Sequence, residues 1–216
     1  MVDTTSRPQR IKTDIWVPAQ WKEYVAICAR TEYEKARCYF DREWMRLEMA
    51  ALGAWHGREN SIVSKVVSLF ATLRVIRMVE LTNTSFRKAG EQEGQPDIAF
   101  YLGDSFALPP QNNQPVDVNH YGAPQLVIEI ASTTLSDDLG RKRLLYERLG
   151  VQEYWVINVK VAKVIAFAVE NGGSREIRAS QVLPGLSLTT VEEAMERSST
   201  EDDGAIARWL FQAFSF

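Results

Sequence analysis

The chain has 216 residues, of which 45% are hydrophobic and 25% are charged, and its formal net charge is −3 at pH 7. A chain with this length and hydrophobic content can bury a sizeable core and fits one domain better than two, which excludes a disordered protein. The slightly acidic balance excludes a surface that is basic throughout, so any contact with nucleic acid must be local.

The N-terminal residues 1–14 are polar, and no later stretch approaches the ~18 continuous apolar residues that a membrane span needs. We therefore expect a flexible start over residues 1–14 and a cytoplasmic protein without membrane contacts. Cys28 and Cys38 lack CxxC spacing, which favours reduced structural thiols over a disulfide or a zinc site.

The hydrophobic pattern predicts helices that alternate with strands along the chain. An N-terminal helix is expected over residues 15–30, opened by Val17 and Pro18, and a short hairpin over residues 36–48. A second helix is expected over residues 59–74 and a third over residues 138–149. Short strands are predicted at residues 77–81, 84–88, 97–102, 125–131, 153–159 and 163–169. Helix-like segments at 190–197 and 204–213 end the chain.

This order of elements predicts an α/β fold, in which a mixed β-sheet is flanked by α-helices in a single domain over residues 1–216. The connection over residues 103–124 is rich in Pro, Asn and Gln, and connections this long are often functional, so it is a candidate lid.

Two carboxylates interrupt apolar strands, where an ionised group is costly unless it is paired or bound to a cation. Asp97 follows Pro96 and leads into a strand, and Glu129 lies between Ile128 and Ile130. The spacing alone leaves two interpretations open. Asp97 is either a turn residue or a site residue, and Glu129 is either solvent-facing or buried for chemistry.

Helical periodicity adds two further candidates. In the third predicted helix, Leu139, Leu145, Tyr146 and Leu149 form one apolar arc, and Lys142 falls inside it. Such a lysine favours an acidic or phosphate partner, with the alternative that it snorkels to solvent. In the second predicted helix, Glu59 is in register with the buried face, although a glutamate in a first turn is also favoured by the helix dipole.

The segments QPDIAFYLG, at residues 95–103, and PQLVIEIASTTLSDDLGRKRLLYERLGVQEYWVIN, at residues 124–158, resemble the bacterial Uma family of restriction endonucleases. That family belongs to the PD-(D/E)XK nuclease superfamily. The resemblance covers residues 44–184 as the core and leaves residues 185–216 as a C-terminal helical extension. It implies a restriction-endonuclease-like core in which Asp97 and Glu129 are the two acids of the motif.

The sequence departs from the superfamily pattern at Ala131, where a lysine is expected. The resemblance implies that the basic group comes from the following helix, and Lys142 is the matching residue. Glu59 resembles the acid that superfamily members often present from a preceding helix. By the same resemblance Asp97, Glu129 and Glu59 are metal ligands for Mg²⁺, or for Mn²⁺, in an endonuclease that hydrolyses phosphodiester bonds of DNA.

Local basic residues are expected to contact the nucleic acid, namely Arg141, Arg143, Arg148, Lys160 and Lys163, although a solvated surface explains them equally well. His56 is expected to be an ordinary surface or capping residue, with the alternative that it assists a nearby phosphate. The tail ARWLFQAFSF is expected either to form a homodimer interface or to cover the core.

Two other functions stay open. Ala131 is consistent with an inactive nuclease fold that serves as a nucleic-acid-binding or interaction module. The same acids also suit a metal-dependent phosphohydrolase of small nucleotides.

Overall fold

The structure is a computed structural model that describes residues 11–49 and 53–215. These residues form twelve strands and seven helices, numbered here in chain order. The strands are β1 (Val17–Pro18), β2 (Arg37–Asp41), β3 (Trp44–Glu48), β4 (Met78–Thr82), β5 (Phe86–Lys88), β6 (Gln92–Gly94), β7 (Ile98–Leu102), β8 (Val116–Asp117), β9 (Leu126–Ala131), β10 (Glu153–Asn158), β11 (Lys163–Glu170) and β12 (Gly173–Ile177). The helices are α1 (Trp21–Cys28), α2 (Ala54–Leu73), α3 (Val118–Tyr121), α4 (Leu135–Asp137), α5 (Arg143–Leu149), α6 (Leu188–Arg197) and α7 (Asp203–Phe214).

The predicted α/β class is confirmed, but the described strands form two six-stranded sheets where the sequence predicted one. The first sheet has the order β1-β3-β2-β6-β5-β8, and the second has the order β12-β11-β10-β9-β7-β4. Both are mixed, because β5 pairs with β8 in parallel and β9 pairs with β10 in parallel, whereas the other neighbours are antiparallel.

The central strands β7, β9 and β10 of the second sheet are buried on both faces, which explains their near-continuous apolar sequences. Side chains alternate along β9, so that Leu126, Ile128 and Ile130 face a core formed with α2, α6 and α7. Val127 and Ala131 face a second core, which α5 and residues of the first sheet complete. Glu129 therefore points into this second core, toward α5 and the first sheet.

The N-terminal helix is shorter than predicted. Val17 and Pro18 are in an edge strand that pairs with Met45 and Trp44, and the helix begins only at Trp21. Proline is compatible with an edge strand because it has no N–H to donate to a neighbour. Of the predicted flexible start, residues 1–10 lie outside the described residues. The Asp14 backbone N–H donates to the Leu47 carbonyl at 2.7 Å, so this end of the segment is fixed to β3.

Helix α2 begins at Ala54, five residues before the predicted start. The hydrophobic pattern did not indicate this turn because its residues are largely exposed and carry no apolar periodicity. The short strands β6, β8 and β12 were not predicted, since their polar sequences lack apolar alternation. The predicted hairpin over residues 36–48 is confirmed as β2 and β3.

The helix predicted over residues 138–149 is irregular at its start. A π-helical turn spans Asp138–Lys142, with non-helical backbone angles at Gly140 (φ −99°, ψ −107°), and α5 follows it. Such turns are rare and occur often at functional sites.

The C-terminal extension covers the core, which is one of the two roles expected for it. Ile206, Leu210 and Phe214 of α7 are buried in the same core as α2, and the Phe214 ring contacts Phe70 edge to face at 5.1 Å. Among the described residues, no helix combines the length and the apolar character needed to cross a lipid bilayer. Cys28 and Cys38 are both free thiols, as predicted.

Glu153 joins the second sheet to the chain that leads into the C-terminal helices. Its buried carboxylate accepts hydrogen bonds from Trp155 Nε1 and Ser180 Oγ, both at 2.9 Å, and from the backbone N–H groups of Gln181 and Val182. Four donors therefore depend on one side chain.

We predict that Glu153→Ala lowers the free energy of unfolding by about 3 kcal/mol, because it leaves several buried donors without an acceptor. Urea denaturation measures this loss. Glu170→Ala, which removes an exposed glutamate from the neighbouring strand, is the matched control and should change stability by less than about 0.5 kcal/mol. Equal losses in the two variants would contradict the anchoring role of Glu153.

Candidate active site

One cavity of about 340 Å³ collects all four residues that the sequence singled out, namely Asp97, Glu129, Lys142 and Glu59. Its walls come from the start of α2, the ends of β3 and β9, and the π-helical turn before α5. Both strand acids are only 2% exposed, which excludes the interpretation of Glu129 as a solvent-facing residue and of Asp97 as an ordinary surface turn.

Asp97 is surrounded by hydrogen-bond donors. Its Oδ1 lies 2.5 Å from Arg37 Nη2 and 3.2 Å from His56 Nε2, while Oδ2 accepts the Ile130 backbone N–H at 2.7 Å. Burial raises the pKa of Asp97, but the hydrogen bond from His56, the charge of Arg37 and the bond from Ile130 outweigh it and lower this pKa to about 2. Asp97 is therefore ionised at neutral pH.

Glu129 has the opposite environment. Its Oε1 accepts a hydrogen bond from the Tyr146 hydroxyl at 2.9 Å and lies 3.8 Å from Lys142 Nζ. Burial raises the pKa of Glu129 well above its usual value, and the negative charges of Asp97 and Asp138 raise it further, although Lys142 opposes them. A second cation beside Glu129 would stabilise its ionised form.

Lys142 is 1% exposed, so it does not snorkel to solvent. Its ammonium lies 2.9 Å from Asp138 Oδ1, 3.0 Å from Glu48 Oε1 and 4.5 Å from the centre of the Tyr39 ring. Burial alone would lower the pKa of Lys142, but Glu129 and the other surrounding groups raise it well above its ordinary value. The lysine is a permanent buried cation.

Glu59 is buried on α2 and lines the same cavity. Burial raises the pKa of Glu59, which the charge of His56 and a hydrogen bond from Trp55 partly offset. The carboxylate therefore faces the cavity, as the helical periodicity predicted, and does not extend into solvent beyond the core.

Two further residues of the site, Arg37 and Glu48, were missed by the sequence interpretation, and His56 was considered only as a minor alternative. Arg37 and His56 bind Asp97, and Glu48 binds Lys142. The expectation that His56 is an ordinary surface or capping residue is wrong, because its ring contacts a buried carboxylate. No local pattern links these residues to Asp97 or Lys142, although an arginine at the start of an otherwise buried strand was a usable signal for Arg37.

Ala131 lies on the same face of β9 as Glu129 and is buried in the second core. Lys142 reaches Glu129 from the helix side of this core. The cation therefore approaches the glutamate from the π-helical turn before α5, and β9 needs no lysine to bring a positive charge there.

The predicted basic rim is largely neutralised, and none of its five residues lines the cavity. Arg148 pairs with Asp41, Lys163 with Glu192 at 2.8 Å, and Arg143 lies 3.8 Å from Glu147. The cavity instead takes its accessible positive charge from Lys35, which is exposed, since Arg37 is paired with Asp97.

The candidate lid, residues 103–124, does not cover the cavity in this structure, since none of its residues lines it. The segment is held against the second sheet instead. The Tyr101 hydroxyl donates to the Gly122 carbonyl, and Arg77 donates to the Phe106 carbonyl, both at 2.9 Å.

The cavity suits a hard cation with few protein ligands. Within residues 11–49 and 53–215, no three His, Cys, Asp or Glu side chains are grouped as a metal cluster, so Asp97, Glu129 and Glu59 do not form a three-ligand site. Mg²⁺ usually takes only one or two carboxylates and retains several water molecules. Two acids that line one cavity, together with the raised pKa of Glu129, fit such an ion.

We predict that Lys142→Met lowers the free energy of unfolding by about 3–5 kcal/mol at pH 8, because Glu48, Glu129 and Asp138 then lose their shared cation. The pKa values of Glu129 and Asp138 are already raised, and this change raises them further. An acid whose pKa is raised in the folded state destabilises the protein as the pH rises and the acid ionises. The loss of unfolding free energy caused by Lys142→Met should therefore be smaller at pH 5 than at pH 8.

Urea denaturation of both proteins at pH 5 and pH 8 measures this difference. Lys160→Met, which removes an exposed lysine, should have the same free energy of unfolding as the original protein at both pH values. A deficit that does not change with pH would show that Lys142 acts through packing alone.

Comparison with known proteins supports the same fold. A solved structure from Anabaena variabilis, described as a "putative nuclease belonging to DUF820", shares 18% sequence identity and superposes with a TM-score of 0.52. The alignment covers 82% of this chain and 99% of that chain. At this identity the similarity establishes the fold alone. No curated protein matches the sequence.

Residues 21–201 match the Uma2 family, whose description is "Putative restriction endonuclease". The matched segment includes β2, the π-helical turn, and every residue that lines the cavity. The chain therefore belongs to the Uma2 family.

Proposed function

We propose that the protein is a metal-dependent endonuclease that hydrolyses phosphodiester bonds of DNA. The main support for this proposal is that Asp97, Glu129 and Lys142 line one cavity, in a chain that belongs to a family described as restriction endonucleases. Asp97 and Glu129 would hold Mg²⁺ or Mn²⁺, and Glu59 would hold a water molecule of the ion or a second ion. A bound divalent ion supplies Lewis acidity to activate water and to stabilise charge on the phosphate.

The protein residues prepare the cavity for a phosphodiester. Arg37 and His56 keep Asp97 ionised, and Tyr146 orients Glu129 through its hydroxyl. The charge of Lys142 is fixed beside Glu129, where it favours the ionised carboxylate and attracts a phosphate oxygen. Lys35, exposed at the mouth, provides an accessible cation for the DNA backbone.

We predict that the purified protein cuts plasmid DNA in Mg²⁺ or Mn²⁺ and that EDTA abolishes the cutting. Asp97→Asn and Glu129→Gln should each lower the rate about a hundredfold or more, because each removes a charged oxygen ligand. Asp104→Asn, at an exposed aspartate outside the cavity, is the matched control. Full activity in either cavity variant would refute the assignment.

We further predict that Glu59→Gln raises the Mg²⁺ concentration needed for half-maximal cleavage severalfold while retaining measurable cleavage, since a glutamine binds metal or its water more weakly. A Mg²⁺ titration of the cleavage rate measures the shift. Glu23→Gln, at an exposed glutamate of α1, should leave the titration unchanged. An unchanged titration in Glu59→Gln would leave Glu59 with a structural role only.

A second candidate function is favoured by the size of the cavity. Its volume of about 340 Å³ lies within the range typical of small-molecule sites, which suits a phosphohydrolase of small nucleotides. Nucleoside triphosphates and cyclic nucleotides therefore belong in the same assay. If they are hydrolysed and DNA is not, this function replaces the nuclease. Nucleic-acid binding without hydrolysis of either substrate would identify an inactive nuclease fold.

A further inference from the structure

Trp55 is a large exposed aromatic residue at the mouth of the cavity. It is 56% exposed in the first turn of α2, four residues before Glu59. Other large hydrophobic side chains are also exposed among the described residues, but only Trp55 lines this cavity. Such a residue normally packs into a core or an interface, so its position here requires an explanation.

Arg58 supports the Trp55 ring from one side. The centre of the Arg58 guanidinium lies 5.4 Å from the centre of the ring. The guanidinium is itself fixed, because it donates to the Ser198 and Glu201 carbonyls at 2.6 Å and to Asp203 Oδ1 at 3.0 Å.

The Trp55 ring is therefore oriented before any ligand arrives. An aromatic residue held in this way loses little conformational entropy on binding, which increases the affinity that a stacking contact provides. The contact with Arg58 leaves more than half of the side chain open to a partner.

The charges at the mouth indicate what that partner is. Lys35 is exposed and lines the cavity, and in the described part of the chain it forms no ion pair. An aromatic ring beside accessible cations is the combination that binds single strands, in which a base stacks on the ring and the phosphates contact the cations. A base inside a continuous duplex has no free face for such stacking.

We infer that Trp55 is a stacking platform for an unpaired base next to the phosphate that enters the cavity. The substrate class is a nucleic acid with an unpaired nucleotide, such as a single strand, and continuous duplex is a poor ligand. This inference rests on the proposed function for the identity of the cavity, but it concerns binding and can be tested without turnover.

The test is fluorescence anisotropy with labelled 12-nucleotide single-stranded DNA, single-stranded RNA and duplex DNA, each measured in EDTA and in Ca²⁺. Trp55→Ala should weaken single-strand binding about tenfold, as expected for the loss of one stacked base, and should change duplex binding less than twofold. Trp55→Phe should retain most of the affinity, because its ring still stacks. The DNA and RNA arms show which backbone is accepted.

Phe211→Ala is the matched control, since Phe211 is 54% exposed but lies outside the cavity, on α7. It should bind every strand as the original protein does. A single strand with abasic sites at every position provides the decisive comparison, because it has phosphates but no bases. The original protein and Trp55→Ala should bind this abasic strand with the same affinity, because it offers no base to stack.

The inference is overturned if Trp55→Ala binds single strands within twofold of the original protein, if it weakens duplex binding equally, or if no strand binds. These outcomes are independent of the proposed hydrolysis. Trp55-dependent binding without cleavage supports the stacking platform and contradicts the proposed endonuclease activity. Cleavage together with binding that does not depend on Trp55 supports the endonuclease activity and contradicts the stacking platform.

Discussion

The buried ammonium of Lys142 is the interaction on which the site depends. Glu48, Glu129 and Asp138 all approach this one cation, so the group around it has an excess of negative charge. Arg46 compensates part of that excess through its contact with Glu48 at 2.8 Å. Burial is the largest cause of the raised pKa values of Glu129 and Asp138, and the negative charge of the neighbouring carboxylates raises both values further. Removing the lysine would leave these buried carboxylates without their shared cation.

Asp97 and Glu129 face one cavity but differ in their protonation behaviour because their neighbours differ. Asp97 lies against Arg37 and His56 and has a pKa of about 2, whereas the pKa of Glu129 is raised. The cavity is therefore electrically asymmetric, with one acid already balanced by protein cations and the other in need of a further positive charge. In the proposed metal site, Glu129 would therefore be the acid whose ionisation depends more strongly on the bound ion.

Much of the site was predictable because periodicity fixes direction within a single element. Glu129 was a candidate because it interrupts an apolar strand, and the phase of the third predicted helix turned Lys142 toward the sheet. The family resemblance then implied their roles. Arg37 and His56 could not be found in the same way. They meet Asp97 only after strands of two sheets and a long helix have been assembled, and the sequence separations of 60 and 41 residues leave no local pattern. Polar strands such as β6 were missed because backbone pairing, and not apolar alternation, holds them in the sheet.

Because the cation lies on a helix and not on β9, the site tolerates substitutions on the strand but not changes in the length of the chain before Lys142. A lysine two residues beyond the glutamate would share its strand, and its direction would not depend on any loop. Lys142 instead follows a connection that passes through α4 and the kink at Gly140. One inserted or deleted residue within 135–141 would rotate the lysine by about 100° around the helix axis, away from Glu129. Position 131 therefore does not have to hold a lysine, as Ala131 illustrates, whereas the length of this connection determines whether the cation reaches the acids.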